Sequence, residues 1–445
     1  MVGPLSLFWV GKRTALGQND AMVRPMSALL PFAFGTLALA SPVRAADERP
    51  HLLIVDAKAT AGAFRTIQAA LDSLPEDSPT YRTILVRAGL YPEKIYITKR
   101  HVALVGEDRK KTRIVFAELR KNWRKDHPDD WGAAVINIGD TVTDLVIANL
   151  TVHNNYGSLH GDNDHQFAIR SGGAATRLSL LSVDIVADGG DTVSLWNTAT
   201  GMYYLADSYF EGHVDFVCPR GWCYAADSRF FGHNTSASIW HDGNLYEDSK
   251  FVIRNSSFDG IPGFALGRNT RDGQFFLLDC FFSKNMADKP IYQAPGTATF
   301  QWPRRAYFST ARGEGGPLAW LAENLGLAKG APAAEDIDAR WTFGGRWDPE
   351  ASLPAVLPGA AIPRPYQGAR VPREGLNLRW LAAREAKSYE VFLGEREPLA
   401  RAGTVRDPAY TPAPLKAATA YKWRVDTLTP SGQRVPGPVW TFTTR

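Results

Sequence analysis

Ser182-Val183-Asp184-Ile185, Asp207-Ser208-Tyr209-Phe210, Asp227-Ser228-Arg229-Phe230, Asn255-Ser256-Ser257-Phe258 and Asp279-Cys280-Phe281-Phe282 are five copies of one short phrase. Each sets a small or polar pair before an alternating apolar step. Their first residues are spaced by 25, 20, 28 and 24 positions, and Asn149-Leu150-Thr151-Val152 reads as a looser, earlier copy. A loose period in the twenties, built of short strands without helices, points to turns stacked on one another in a parallel β-helix. A β-sandwich also gives many short strands, but with tight hairpins. Asn-Gly and Asp-Gly pairs are few here.

Outward from the repeat, residues 64–74 carry apolar side chains at 64, 67, 71 and 74, a helical stripe stopped at Pro75. Strand-like runs follow at residues 83–86, 94–97 and 102–105, and no further helix is expected before about residue 317. Residues 353–372 hold five prolines with glycines and no period, which predicts a linker. Beyond it, Leu376-Asn377-Leu378-Arg379-Trp380, residues 388–393, 421–425 and 439–442 alternate as strands of a small β-sandwich. Trp380 and the spacing from Leu415 to Tyr421 resemble a fibronectin type III domain. The expected fold class is all-β: a right-handed parallel β-helix over residues 46–352, a Pro-rich linker at 353–372 and a fibronectin-like sandwich over 373–445.

The first 45 residues read as a leader. Residues 27–40 are apolar, Arg24 precedes them, and Val43-Arg44-Ala45 supplies small residues at signal-cleavage spacing. The run is too short for a permanent membrane span, so a secreted or periplasmic location is expected. The chain has 50 Lys and Arg against 46 Asp and Glu. The leader takes Lys12, Arg13, Arg24, Arg44 and Asp20 with it, which leaves the remainder close to neutral and gives no basis for nucleic-acid binding. Of the three cysteines, Cys218 and Cys223 lie close enough to bridge a loop in an oxidising compartment. Two buried thiols are the alternative, and Cys280 is left over in either case.

The chemistry concentrates at two aspartates. Asp191 lies in Gly189-Gly190-Asp191-Thr192-Val193 and Asp215 in Gly212-His213-Val214-Asp215-Phe216-Val217, 24 residues apart, one turn of the repeat. Stacked strands lie about 4.8 Å apart, so side chains one turn apart on one face nearly touch. Two such carboxylates do not both ionise readily: one becomes an acid and the other remains an anion able to attack. Arg268, in Phe264-Ala265-Leu266-Gly267-Arg268, lies two turns further on and could grip one carboxylate bidentately. A β-turn cap is the simpler reading of either aspartate alone, and a surface ion pair that of Arg268. The three together favour a site.

These residues carry a resemblance to the pectinesterase family. Residues 64–70 resemble its entry helix, and Gly89-Leu90-Tyr91-Pro92-Glu93 its Gly-x-Tyr-x-Glu signature. Gly190-Asp191-Thr192 resembles its Gln-Asp-Thr, His213-Val214-Asp215-Phe216-Val217 its Val-Asp-Phe-Ile-Phe-Gly, and Leu266-Gly267-Arg268 the start of its Leu-Gly-Arg-Pro-Trp. The likeness spans about residues 55–310. It implies Asp215 as nucleophile on a methyl ester, Asp191 as general acid and then base, and Arg268 as the group that holds Asp215. It implies no cofactor, and pectin or a related methyl-esterified polyuronate as partner; a monomer is expected. Two departures stand out. The family's glutamine before the first aspartate is Gly190, and its Pro-Trp after the arginine is Asn269-Thr270. A second family glutamine falls on His165 in ungapped register and on Gln166 with a shift of one. Neighbouring strand residues face opposite ways, so one of them lines the site, and Gln166 is favoured on chemistry. Trp222 or Trp240 could replace the missing substrate-stacking tryptophan, although packing explains each equally well.

His160, Asp162, Asp164 and His165 are close enough to suggest a metal site, but read as a polar loop. No Gly-x-Ser-x-Gly elbow occurs. Two rival readings remain: a polyuronate lyase of the same scaffold, and a binding protein that has lost turnover, which the Gly190 and Thr270 departures motivate.

Overall fold

The computed structural model describes residues 52–58, 61–243, 246–296 and 299–445. The leader reading therefore lies outside the described residues. Among the described residues, no helix is long and apolar enough to cross a membrane.

Residues 52–313 coil through three long parallel sheets of ten, eight and nine strands. Each turn contributes one strand to each sheet. One full turn is Thr176–Leu181 in the first sheet, Asp184–Ala187 in the third and Val193–Leu195 in the second. The register repeats without slip: Leu178 lies beside Tyr203, Ile185 beside Phe210 and Val193 beside Val217. Inward residues stack into one continuous core that includes Ile147, Leu180, Leu205, Phe230, Phe258 and Phe282. Phe210, Phe230, Phe258 and Phe282 form a ladder with successive ring centroids 5.4, 4.5 and 5.3 Å apart.

The repeated phrase marks the corner between the first and third sheets. Asn149, Ser182, Asp207, Asp227, Asn255 and Asp279 all have φ between 46° and 55°. Asn and Asp tolerate this left-handed conformation better than most residues, and the period was legible for that reason. The corner residues also bond along the stack: Ser182 Oγ donates to Asp207 at 2.6 Å and Asn255 Nδ2 to Asp227 at 2.7 Å.

Two expectations need correction. The expected helix is there as Ile67–Asp72, capped by Thr66, but helices Arg120–Asp126 and Tyr156–His160 lie well before residue 317. Arg120–Asp126 buries no residue, so it has no apolar stripe to read. Residues 353–372 do not form a free linker. They supply the strands Ala361–Arg364 and Ala369–Val371, one to each of two C-terminal sheets of three and six strands. Those sheets share a core of Trp380, Tyr389, Val391, Trp423, Trp440 and Phe442. Arg364, which is buried, joins this region to the coil: its Nε donates to Glu350 at 3.0 Å and its Nη1 to Asp227 at 3.3 Å.

The cysteines are free and buried. Cys218 belongs to a strand of the second sheet and Cys223 to one of the first, so the loop between them turns a corner of the coil and is not closed by a bridge.

Candidate active site

The site is built on the outer face of the second sheet. Val193 pairs with Val217 in register. Asp191 and Asp215 each lie two residues before these valines and so occupy equivalent places on adjacent turns. Both backbones are left-handed, with φ of 60° and 52°, and matched backbones on stacked turns send the two side chains out in parallel. The turns are tied by Asp191 N–H to Val214 O at 3.0 Å and Asp215 N–H to Ala237 O at 2.9 Å. Left-handed aspartates also occupy structural corners of this coil. The pairing on one face, more than the strain, singles these two out.

Arg268 completes the centre. It pairs in register with Trp240, one turn beyond Asp215. Its Nε donates to both Asp215 oxygens at 3.0 and 3.1 Å, and its Nη2 to Oδ2 at 2.6 Å. Burial raises the Asp215 carboxyl to about 6, against the pull of Arg268. Burial also raises Asp191, which has no such clamp; His165, Arg220 and Arg170 oppose the rise from further away. Asp215 is thus the better held as an anion, and Asp191 the better placed to keep a proton.

A cavity of about 180 Å³ opens beside Asp191, lined also by Arg120, Asp130, His165, Phe167, Arg170, Trp196, Arg220 and Trp240. A larger one of about 740 Å³ lies elsewhere, around Lys250, Arg305 and Trp341. It touches neither aspartate, so size does not select the site here.

Of the residues expected from sequence, Asp191, Asp215, Arg268, His165 and Trp240 come together. Gln166 does not. Its side chain is fully buried, its Nε2 donating to Asp162 O at 2.6 Å and its Oε1 accepting from Gly157 N–H at 3.0 Å. The preference for Gln166 is therefore corrected: its amide is spent on Gly157 of the helix Tyr156–His160 and on Asp162 just beyond it, and His165 lines the cavity. Trp222 is also elsewhere, buried in a cluster on the outer side of the first sheet with its Nε1 on Asp248 at 3.2 Å. After the helix Tyr156–His160, Asp162 pairs with Lys121 at 2.5 Å and His165 Nδ1 with Asp164 at 2.6 Å. Thr270 is folded back, its Oγ1 donating to Asp242 at 2.7 Å.

Gly190 is sterically enforced. A Cβ there would lie 2.9 Å from Val214 Cγ1, so a glutamine cannot enter unless Val214 moves.

Sequence reading missed Arg120, Asp130, Arg170, Trp196 and Arg220. Arg120 comes from the unforeseen helix. Arg170 follows the apolar run Phe167-Ala168-Ile169 in the strand Phe167–Ser171, which was a usable signal. Arg220 sits in a corner turn, where nothing in the sequence separates it from a solvated residue.

Fold and site together define a parallel β-helix with a buried two-carboxylate centre on one outer face. Residues 53–231, which carry both aspartates, match the family model described as Pectinesterase. The chain is 26% identical over 358 residues to a pectinesterase from Aspergillus niger, covering 74% of this chain and 97% of that one. Among solved structures it resembles pectin methylesterase PemA from Erwinia chrysanthemi, with a TM-score of 0.53 at 19% identity, covering 68% of this chain and 98% of that one. It also resembles a pectin methylesterase in complex with a hexasaccharide, with a TM-score of 0.54 at 19% identity and the same coverage. The fold is the right-handed parallel β-helix of these enzymes, and residues 53–231, which hold both aspartates but not Arg268, are similar to the pectinesterase family.

Proposed function

We propose that this chain is an exported carbohydrate esterase that hydrolyses methyl esters of pectin or a closely related polyuronate, releasing methanol and a free carboxylate. The observation that carries the reading is the three-contact clamp of Arg268 on Asp215, one turn from a buried, unclamped Asp191. An anion held and aimed beside a carboxylic acid is what a two-step ester hydrolysis needs.

Asp215 attacks the ester carbonyl carbon and a tetrahedral oxyanion forms. Asp191 gives its proton to the leaving methoxy oxygen, so methanol departs and an acyl anhydride with Asp215 remains. Asp191, now ionised, takes a proton from water as that water attacks the anhydride. The C–O bond to Asp215 breaks, the uronate leaves, and Asp191 is again protonated. Arg268 holds the Asp215 oxygens throughout and stabilises the carboxylate as leaving group. His165 is the nearest replacement for the family's glutamine. With Nδ1 donating to Asp164, its Nε2 can donate only when the ring is doubly protonated. Trp240, in register with Arg268, stands in for the family tryptophan that Thr270 replaces. The C-terminal sheets are proposed as a fibronectin type III-like module.

Methanol release from esterified pectin tests the reading. The unmodified chain is expected to release methanol without forming unsaturated product, and Asp215→Ala and Asp191→Asn to lose release while still binding saccharide. Unsaturated product would favour a lyase. Binding without release from any esterified polyuronate would favour the non-catalytic reading, which the bare Gly190 position supports.

A further inference from the structure

The larger cavity, of about 740 Å³, lies on the outer face of the first sheet and shares no lining residue with the one beside Asp191. Three successive turns of the coil form its floor. Gln274 pairs with Arg305 and Phe276 with Tyr307. Lys250 precedes Phe251, which pairs with Phe275. Phe251 and Phe275 point into the core, which turns their neighbours outward. Lys250, Gln274 and Arg305 therefore stand in one outward row, with Phe276 and Tyr307 in the next. Trp341, from the short helix Ala339–Thr342, packs against both rows, its ring 5.5 Å from that of Phe276 and 4.8 Å from Lys250 Nζ.

The polar row lacks partners. Arg305 and Lys250 are each 7% exposed. Arg305 Nη1 donates to Glu247 O at 2.5 Å and the guanidinium lies on the Trp302 ring, but Nε and Nη2 are buried and unpartnered. Gln274 Oε1 is a buried acceptor without a donor. Among the described residues neither Lys250 nor Arg305 has a carboxylate within ion-pair distance. Burial lowers the Lys250 ammonium to about 8, with Asp248 opposing from further away. The acids Glu247, Asp248 and Asp338 are exposed at the rim. Asp248 accepts from Trp222 Nε1 at 3.2 Å, and Asp338 caps Trp341 N–H at 2.7 Å.

Unpaired buried polar groups are costly, and more so on a cation. Unpaired donors and an unpaired acceptor beside aromatic faces fit a ligand with negative charge, hydroxyl donors and a flat apolar face. An acidic sugar has all three: its carboxylate accepts from guanidinium and ammonium, a hydroxyl donates to Gln274, and one ring face lies on an aromatic ring. Sulfate brings charge but neither donor nor face. A neutral sugar leaves two buried cations unpaired. The polar row spans two strand spacings, about 10 Å, more than one carboxylate covers, so a saccharide charged at intervals fits it better than a single acid.

We propose that this cavity is a second, non-catalytic saccharide site that holds an unesterified uronate stretch of the polymer, with carboxylates on Arg305 and Lys250, a hydroxyl on Gln274 and a ring against Trp341 and Tyr307. The identity of the occupant rests on the polyuronate reading above.

Calorimetric titration of the full chain with trigalacturonate, neutral galactotriose and sodium sulfate tests the assignment. Trigalacturonate is expected to bind at least about 10-fold more tightly than the other two. Lys250→Met should weaken one binding event by about 10-fold or more. Trp341→Ala should weaken the same event, and Asp215→Asn should leave it in place. The first two variants should keep kcat/KM for methanol release from a short esterified trisaccharide within about twofold of the parent. Lys250→Met removes an unpaired buried cation, so its unfolding temperature should equal or exceed the parent's. Should Lys250→Met fail to fold, Trp341→Ala decides alone. No binding of trigalacturonate, equally tight binding of sulfate or galactotriose, parental binding by both variants, or loss of every binding event in Asp215→Asn would each overturn the proposal. Methanol release by the unmodified chain is scored separately. Its absence alongside binding that the variants weaken would refute the esterase reading and leave the site standing, and release alongside binding that neither variant alters would do the reverse.

Discussion

Removing the Arg268 guanidinium should shift the acid limb of the pH–rate profile upward, beyond any loss at the plateau. Asp215 is 3% exposed, and its two oxygens receive three N–H contacts from Arg268, at 3.0, 3.1 and 2.6 Å. Burial raises this carboxyl to about 6, and Arg268 is the largest influence holding it down. Hydrogen bonds to charged groups contribute about 1.5–3 kcal/mol, and each pKa unit corresponds to about 1.4 kcal/mol. Arg268→Ala should therefore raise Asp215 by about one to two units. The sign follows from charge: without the cation the neutral acid is favoured, so a higher pH is needed to form the attacking anion. Near pH 6, activity should fall about 5- to 50-fold from this cause alone, with partial recovery toward about pH 8. Arg268→Lys keeps the charge but loses the fork, and should shift the limb less. The assay is kcat/KM for methanol release across this range. An acid limb that stays near 6 in Arg268→Ala while only the plateau falls would show that Arg268 does not set the ionisation of Asp215.

Other consequences are open to test. Gly190→Gln should lower the unfolding temperature, because its Cβ meets Val214 Cγ1 at 2.9 Å; overpacking of this kind costs about 1–3 kcal/mol. Val214→Ala in the same chain should recover much of the loss, and a Gly190→Gln protein as stable as the parent would contradict the steric account. Arg364→Ala should destabilise the folded chain at neutral pH by about 3–5 kcal/mol, because it leaves Asp227 and Glu350 without their buried cation. Burial raises Asp227 to about 6 against the pull of Arg364; without that cation it rises further, so the penalty should shrink as pH falls toward about 6 and the unpaired carboxyl takes up a proton. Denaturant melts at two pH values would show a constant penalty if this reasoning fails. All three thiols should titrate after denaturation without reductant, since Cys218, Cys223 and Cys280 are free; a single reactive thiol would restore the bridge between the first two.

The sequence by itself determined the coil, because its evidence is local and repeated. A left-handed corner admits few residue types, and the same corner recurs at Asn149, Ser182, Asp207, Asp227, Asn255 and Asp279, so the period is written into composition. The same period placed Asp191 and Asp215 on adjacent turns, and a glycine-flanked arginine further along supplied the clamp. It could not decide His165 against Gln166, because that choice depends on where the helix Tyr156–His160 and the turn at Asp162 lie, and these take up the Gln166 amide by contacts. Nor could it separate Trp240 from Trp222, which sit on different sheets of the same coil. Only the tertiary structure brought Arg120, Arg170 and Arg220 to one cavity, from a helix without an apolar stripe, a strand and a corner turn. A repeat fixes which residues stack along the coil, since that spacing is covalent. What converges across it from unlike elements is set by side-chain packing and charge, which become definite only when the chain has closed on itself.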